Sequence, residues 1–268
     1  MNDQVVSKNQ ELFLSNHRKY HRFVSTTRLL LFMSFLALWE FASRFHWIDS
    51  FFFSSPSKVV LCAIDLFLHQ DLTMHIGITL FETLLSFALV LILGITFAAL
   101  LWYSPLISDI SEPYLVVLNS LPKSALAPLF IVWLGTGTKT IIIAGMSVAI
   151  FGAIISIYTC FKEVEPDKIT LIKTLGGSKR DEFFKVILPS SIPTLLSIMK
   201  VNIGLSLVGV IIGEFLAARR GLGYLIIYGS QVFQLDMVIT SILILCVIAM
   251  LLYQCIQWLE HFYKQKKK

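Results

Sequence analysis

The sequence predicts an all-α, polytopic membrane protein with about six transmembrane helices, and three observations support this fold class. Of the 268 residues, 56% are apolar and only 15% are charged, whereas an ordinary soluble domain carries roughly 25% charged residues. The apolar residues form separate blocks, each reaching the roughly 20 residues that a helix needs to cross a bilayer. The lysines and arginines lie mainly outside these blocks. A water-soluble fold of this size would lack the polar groups to cover its surface.

The apolar blocks divide the chain into a tail, the spans and the segments between them. The tail is 1–27, the first transmembrane helix is 28–48, and an extracytoplasmic segment follows at 49–75. The core domain is 76–259. Its spans are predicted at 76–103, 113–134, 139–160, 190–216 and 236–259, with a loop at 161–189 and a basic tail after the core at 260–268.

The basic residues predict which side of the cell membrane each loop faces. Fifteen of the 22 lysines and arginines lie before the first span or at its first residue, in the 161–189 loop, or after the last span. Because cytoplasmic loops are enriched in Lys and Arg, we expect both termini and this loop in the cytoplasm. The turn predicted at 104–112 has no basic residue, so its assignment to the same side rests on parity alone.

Several classes of function lack support in the sequence. The net charge of +5 comes from basic residues that flank the predicted spans. Membrane topology and contact with anionic lipid explain their positions better than nucleic-acid binding does. The four cysteines and six histidines show no metal-site spacing apart from His17 and His21, which lie in the polar tail, so we predict no metal. A membrane enzyme is disfavoured because Glu40, Glu82 and Glu214 have no evident partner, and we predict no catalytic residue.

The loop at 161–189 is predicted to form two short helices joined by a rigid bend. Glu165-Pro166 is typical of a helix start, Gly176-Gly177 of a helix end, and Ser178 with Asp181 of a capping pair for the second helix. The first helix carries Ile169, Ile172 and Leu175 on one face. These either pack beneath the membrane domain or form an exposed surface for a partner protein, and the pattern alone does not decide.

The run from Lys173 to Ser178, followed by Phe183 and Ile187-Leu188-Pro189, resembles the cytoplasmic signature loop of the membrane subunits of ABC importers. In that family a Glu-Ala-Ala triplet precedes a glycine, and a Leu-Pro follows at a fixed distance. Here the glycine is Gly176 and the Leu-Pro is Leu188-Pro189, but the triplet reads Thr170-Leu171-Ile172. This difference predicts a more apolar contact with the partner subunit and leaves the glycine bend unchanged.

Further motifs narrow the resemblance to the nitrate/sulfonate/taurine-type permeases. In order along the chain they are Ser55-Pro56-Ser57, His75 with Thr79-Leu80, Leu121-Pro122-Lys123, the run from Ala127 to Gly135, Gly213-Glu214 and the run from Gly221 to Ile226. Glu82 differs, because that branch usually carries arginine there. The sequence therefore does not determine which charge, if any, pairs with residue 82.

The resemblance implies a type I ABC importer permease. Such a permease is a homodimer with one pathway, docked to two ATPase subunits in the cytoplasm and supplied by an extracytoplasmic substrate-binding protein. The chain has no G-x-x-x-x-G-K-[ST] phosphate loop, so we predict no enzymatic activity and no bound cofactor, with ATP used by the partner. The implied ATPase-coupling residues are Ile169, Ile172, Lys173, Leu175, Gly176, Gly177, Phe183, Leu188 and Pro189.

Polar groups inside the spans are candidates for lining the pathway, because they are costly in hydrocarbon. The candidates are Asn119, Asn202, Ser206 and Glu214, although hydrogen bonding between helices explains an intramembrane asparagine equally well. Lys123 and Lys200 lie near the cytoplasmic membrane surface and can reach the headgroups. Gly209 and Gly213 have a spacing that favours close helix packing, and Glu40 is predicted to pair at an interface or between helices.

The substrate is the least determined feature of the sequence. The branch handles small anions such as nitrate, sulfonates and taurine, and also thiamine-precursor pyrimidines. Arg219 and Arg220 at the predicted outer mouth are compatible with an anion, although membrane-flanking arginine is the simpler interpretation. An ion-coupled secondary transporter is less favoured, because no internal repeat is visible.

Overall fold

The computed structural model describes residues 8–266, and the regular secondary structure of this part is helical throughout. The all-α prediction is thus confirmed. The predicted tails at 1–27 and 260–268 lie partly outside the described residues. The helices are α1 (Lys8–Arg44), α2 (Ser50–Phe53), α3 (Pro56–His69), α4 (Leu72–Tyr103), α5 (Pro105–Ser120), α6 (Lys123–Leu134), α7 (Thr138–Lys162), α8 (Pro166–Thr174), α9 (Lys179–Asp181), a π-helical turn (Glu182–Ile187), α10 (Leu188–Ala217), α11 (Leu222–Gln231) and α12 (Leu235–Lys266).

Five segments in residues 8–266 are single helices long and apolar enough to cross a membrane. They are Arg22–Arg44, Leu72–Tyr103, Thr138–Lys162, Lys179–Ala217 and Leu235–Gln265. The pair α5 and α6 meets the same criterion together but is bent by 92°. The number of spans is therefore five, or six if the bent pair makes one crossing, which agrees with the predicted number.

The span predicted at 113–134 is divided in the structure between α5 and α6, with a bend between them. Leu121 and Pro122 separate the two helices, and both have extended backbone conformations. A proline disfavours the helical conformation of the residue before it, so the helix ends at Ser120 and the chain changes direction. The turn predicted at 104–112 is also helical, because α5 already begins at Pro105, a position where proline is tolerated.

Helix α1 begins inside the predicted tail and continues without a break into the first span. Near its end, the Glu40 carboxylate accepts hydrogen bonds from the backbone N–H (3.1 Å) and the hydroxyl (2.8 Å) of Ser57 and pairs with Arg44 at 2.8 Å. A carboxylate is favoured at the N-terminus of a helix, here that of α3. Glu40 thus joins α1 to α3, as its predicted role between helices requires.

The core of the fold is α7 packed between α4 and α10. Small residues allow the close approach of α7 and α10: a Cβ added to Gly209 would lie 2.8 Å from both the Ala144 carbonyl oxygen and the Gly145 Cα. A Cβ added to Gly213 would lie 3.0 Å from the Ile141 Cα. The packing interpretation of the Gly-x-x-x-Gly spacing is therefore confirmed.

The second helix of the 161–189 loop is continuous with the following span. The prediction separated the loop from a span at 190–216, whereas the structure has one uninterrupted helical segment, Lys179–Ala217. Its π-helical turn, in which the Leu188 N–H bonds to the Phe183 carbonyl, precedes Pro189. A proline lacks the N–H for an α-helical hydrogen bond and crowds the preceding turn, and a wider π turn relieves this crowding without ending the helix.

Candidate functional site

The segment Pro166–Ile187, hereafter the loop segment, begins and bends where the sequence predicts. Pro166 is the first residue of α8, and Gly176 has the left-handed conformation (φ +78°) that glycine accepts without strain. The Gly177 N–H donates to the Ile172 carbonyl at 2.9 Å. Helix α8 therefore ends with this backbone hydrogen bond, beside a position whose left-handed conformation favours glycine.

A complete capping box starts the second half of the loop segment. The Asp181 carboxylate accepts from the Ser178 N–H at 3.0 Å, and the Ser178 hydroxyl accepts from the Asp181 N–H at 3.3 Å. Lys185 pairs with Asp181 at 2.7 Å. Lys179 donates to the Tyr103 carbonyl at 2.7 Å, which fastens this end of the loop segment to the end of α4.

Phe183 anchors the loop segment in the helical core. Its ring centroid lies 5.4 Å from that of Trp102 on α4 and 5.4 Å from that of Phe161 on α7. Ile169 packs against the same buried cluster, and Ile172, Leu188 and Pro189 are half-buried. These residues therefore connect α8 with three long helices.

The sequence left open whether the apolar face of α8 packs beneath the membrane domain or is exposed to a partner. In the structure, part of this face is packed and part is exposed. Ile169 and Ile172 turn toward the protein, whereas Leu175 is 75% exposed. Leu171 (59%) and Phe184 (56%) are also exposed, and they were not among the predicted site residues. Leu171, Leu175 and Phe184 form what we call the exposed apolar group of the loop segment. Lys173, a predicted site residue, is exposed as well and lies 4.0 Å from Glu182.

A second cluster of polar residues lies at the end of the core where α11 packs. On α4, the His75 ring bonds to the backbone of Gly221, and the Thr79 hydroxyl donates to Glu214 Oε1 at 2.7 Å. The Gly223 N–H donates to Glu214 Oε2 at 2.5 Å. A Cβ added to Gly221 would lie 2.5 Å from the Glu214 carboxyl carbon. Glycine at this turn therefore allows the carboxylate to reach the backbone.

The four predicted pathway residues lie in different surroundings. Glu214 is fully buried and occupied by the hydrogen bonds above. Asn202 and Ser206 are buried one turn apart on α10; Asn202 Nδ2 donates to the Ile198 carbonyl at 2.9 Å, while Asn202 Oδ1 and Ser206 Oγ have no hydrogen-bond partner within the described chain. Asn119 is exposed on α5 beside Gly152 of α7.

The two intramembrane lysines have protein partners. Lys200 forms an ion pair with Glu260, which also pairs with Lys264 at 2.7 Å. Lys123 donates to the Asn119 carbonyl. Across residues 8–266, no group of three or more His, Cys, Asp or Glu side chains is placed to hold a metal ion.

Comparison with known proteins identifies the family. Residues 90–267 match the model of the binding-protein-dependent transport system inner membrane component. A protein of Haemophilus influenzae named as an ABC transporter permease is 30% identical over 87% of this chain and 94% of its own length. The formylaminopyrimidine transport permease ThiX of Halalkalibacterium halodurans is 28% identical over 87% of this chain and 92% of its own length.

Other relatives are named as permeases for aliphatic sulfonates and for taurine. Among solved structures, the MetNI methionine ABC transporter in an inward-facing conformation matches with a TM-score of 0.66 and 17% identity, covering 72% of this chain and 96% of that chain. This likeness shows the fold. The chain therefore belongs to the binding-protein-dependent inner membrane components and is an ABC importer permease subunit.

Proposed function

We propose that this permease couples to a separate ATPase through the loop segment, using the exposed apolar group as its contact surface. The exposure of Leu171, Leu175 and Phe184 carries the proposal. Large apolar side chains on a short helix gain about 1.5–3 kcal/mol each when they enter a groove of a partner. The opposite face of the loop segment is anchored by Phe183 to α4 and α7, so a force on the exposed group would reach the long helices.

The wider assembly follows from the same proposal. Two copies of the chain form one pathway, two ATPase subunits dock on the cytoplasmic side, and a substrate-binding protein delivers the solute from outside. The distribution of lysine and arginine supports cytoplasmic termini and a cytoplasmic loop segment. The chain lacks a phosphate loop, so ATP hydrolysis belongs to the ATPase subunits and not to this chain.

The solute is a small anion such as a sulfonate, taurine or nitrate. Relatives named for sulfonates and taurine support this class, and so do the exposed Arg219 and Arg220 at the end of α10 that we assign to the outside. A thiamine-precursor pyrimidine is the second candidate, supported by the ThiX relative. Thermal-shift screening of the cognate binding protein with both classes of compound tests this choice, and stabilisation by pyrimidines alone would contradict the anion.

The coupling proposal is tested with the complete transporter in proteoliposomes. Leu175→Asp places a charge on the contact surface, so we expect ATP-driven uptake to fall at least about tenfold, while the amount of inserted permease stays unchanged. Leu175→Met, which keeps an apolar side chain of similar volume, is the matched control and should retain uptake. Normal uptake in the Asp variant would contradict the coupling role. Uptake that continues without ATP and stops when the ion gradient is dissipated would instead identify a secondary transporter.

A further inference from the structure

The end of α4 receives a positive charge from a distant part of the chain. The last turn of α4 contains no basic residue of its own, although the final carbonyls of a helix lack helical partners and attract cations. The Lys179 ammonium instead donates to the Tyr103 carbonyl at 2.7 Å. It also lies 5.5 Å from the Tyr103 ring centroid and 6.0 Å from that of Trp102, within the range of a cation–π contact. Lys179 therefore contacts α4 through one backbone atom and two rings.

The other basic side chains of the loop segment have their partners in the loop segment or directly before it. Three of them form ion pairs, which are Lys168 with Glu165, Lys173 with Glu182 and Lys185 with Asp181. The fourth is Arg180, whose guanidinium carbon lies 5.9 Å from the Phe184 ring centroid. In the described part of the chain, Lys179 is thus the basic side chain that joins the loop segment to α4.

Lys179 and Phe183 contact the same tryptophan of α4. They are four residues apart on the continuous segment Lys179–Ala217, and side chains at this spacing share a face of a helix. Trp102 has the Phe183 ring centroid at 5.4 Å and the Lys179 ammonium at 6.0 Å. The capping box of Ser178 fixes the backbone where Lys179 begins the helix. The two contacts with α4 are therefore separated by about 6 Å along the helix axis.

Two separated contacts constrain a helix differently from a single contact. If Phe183 were the only attachment to α4, the segment would be free to pivot about this ring when its cytoplasmic end is displaced. Lys179 adds a contact at the first residue of the segment, on the side of Phe183 that leads back to α8. A tilt of the loop segment is then transmitted to the end of α4 instead of being lost as rotation about Phe183.

We propose that Lys179 is a positioning residue of the coupling step: it fixes the angle between the loop segment and α4, so that α4 follows when the ATPase displaces the exposed apolar group. The inference rests on the proposed coupling function. It adds a residue that was not among the predicted coupling residues, and it identifies α4 as a helix that must move with the loop segment.

The complete transporter in proteoliposomes tests this role through the ratio of solute taken up to ATP hydrolysed. The labelled solute is taurine, or formylaminopyrimidine if the thermal-shift screen selects the pyrimidine class. Lys179→Met keeps the apolar stem and removes the charge, so we expect the ratio to fall about fivefold, the factor that corresponds to one lost cation–π contact. The amount of bound ATPase should be unchanged, and the thermal midpoint should stay within about 4 °C of the parent because Lys179 is exposed.

Two further variants separate positioning from a general effect of charge. Lys179→Arg keeps a cation with several donors, so we expect it to restore the ratio to within about twofold of the parent. Arg180→Met removes the adjacent exposed charge, which contacts only Phe184 of the loop segment among the described rings, and should leave the ratio unchanged. An equal fall in Arg180→Met, or no recovery in Lys179→Arg, would overturn the assignment. Loss of bound ATPase in Lys179→Met would also overturn it, because Lys179 would then be a docking residue.

Failure of this inference is distinguishable from failure of the coupling function. An unchanged ratio in Lys179→Met, together with the loss of uptake in Leu175→Asp, would refute the role of Lys179 and leave coupling through the loop segment intact. Normal uptake in Leu175→Asp would contradict the coupling function and, with it, the present inference.

Discussion

Replacement of Gly209 by alanine should force α7 and α10 apart. An added Cβ would lie 2.8 Å from the Ala144 carbonyl oxygen, the Gly145 Cα and Val148 Cγ2. Two of these three atoms belong to the backbone, so a change of side-chain rotamer cannot relieve the overlap. One helix must move, although the contact between α7 and α10 is central to the core.

The expected free-energy change has two parts of opposite sign. Alanine stabilises a helix interior relative to glycine by about 0.5–1 kcal/mol, whereas overpacking a close contact costs about 1–3 kcal/mol. Gly204 on the same helix is the matched control, because an added Cβ there meets nothing within 4 Å. The difference between Gly204→Ala and Gly209→Ala isolates the overpacking cost, which corresponds to roughly 3–10 °C in the thermal midpoint.

The assay is thermal unfolding of both variants in the same detergent, followed by the fraction that remains monodisperse on size exclusion. We expect Gly204→Ala at or slightly above the parent midpoint and Gly209→Ala below it. Gly77→Ala on α4, which also has open space around the added Cβ, checks that the result is not peculiar to α10. Equal midpoints for Gly204→Ala and Gly209→Ala would refute the close packing of α7 on α10.

Two further predictions concern hydrogen bonds and ion pairs at the loop end of the core. Ser178→Ala removes the capping box and should lower the thermal midpoint by roughly 3 °C, while Ser178→Thr keeps most of it; an unchanged midpoint in the alanine variant would contradict a stabilising cap. Glu260→Gln leaves the half-buried Lys200 without its counter-charge and should lower the thermal midpoint, because a poorly solvated charge is then unpaired. Lys264→Met, at an exposed position, should cost under about 1 kcal/mol in the same melts.

The sequence predicted most accurately those features that depend on local chemistry. The start of α8 at Pro166, the bend at Gly176 and the capping pair of Ser178 with Asp181 each follow from one residue type at one backbone position. The all-α fold and the number of spans follow from the length and apolarity of the blocks. The role of Gly209 in packing also followed from spacing alone.

Features that depend on tertiary contacts were predicted less well. Apolar periodicity could not distinguish half-buried Ile169 from exposed Leu175 on the same face of α8, because both residues are apolar. The hydrogen bond from Thr79 to Glu214 joins residues on distant helices, so no local pattern contains it. The break at Leu121-Pro122 was predictable, since proline disfavours a helical residue before it. It was missed because the surrounding apolar block was interpreted as one span.

The uninterrupted segment from Lys179 to Ala217 has a mechanical consequence. At 1.5 Å per residue it is a rod of roughly 58 Å, about twice the thickness of the hydrocarbon layer. If it tilts as one body by about 5°, one end moves by about 5 Å relative to the other. Because the segment contains no break, a displacement at the loop segment would also move Glu214 near its other end.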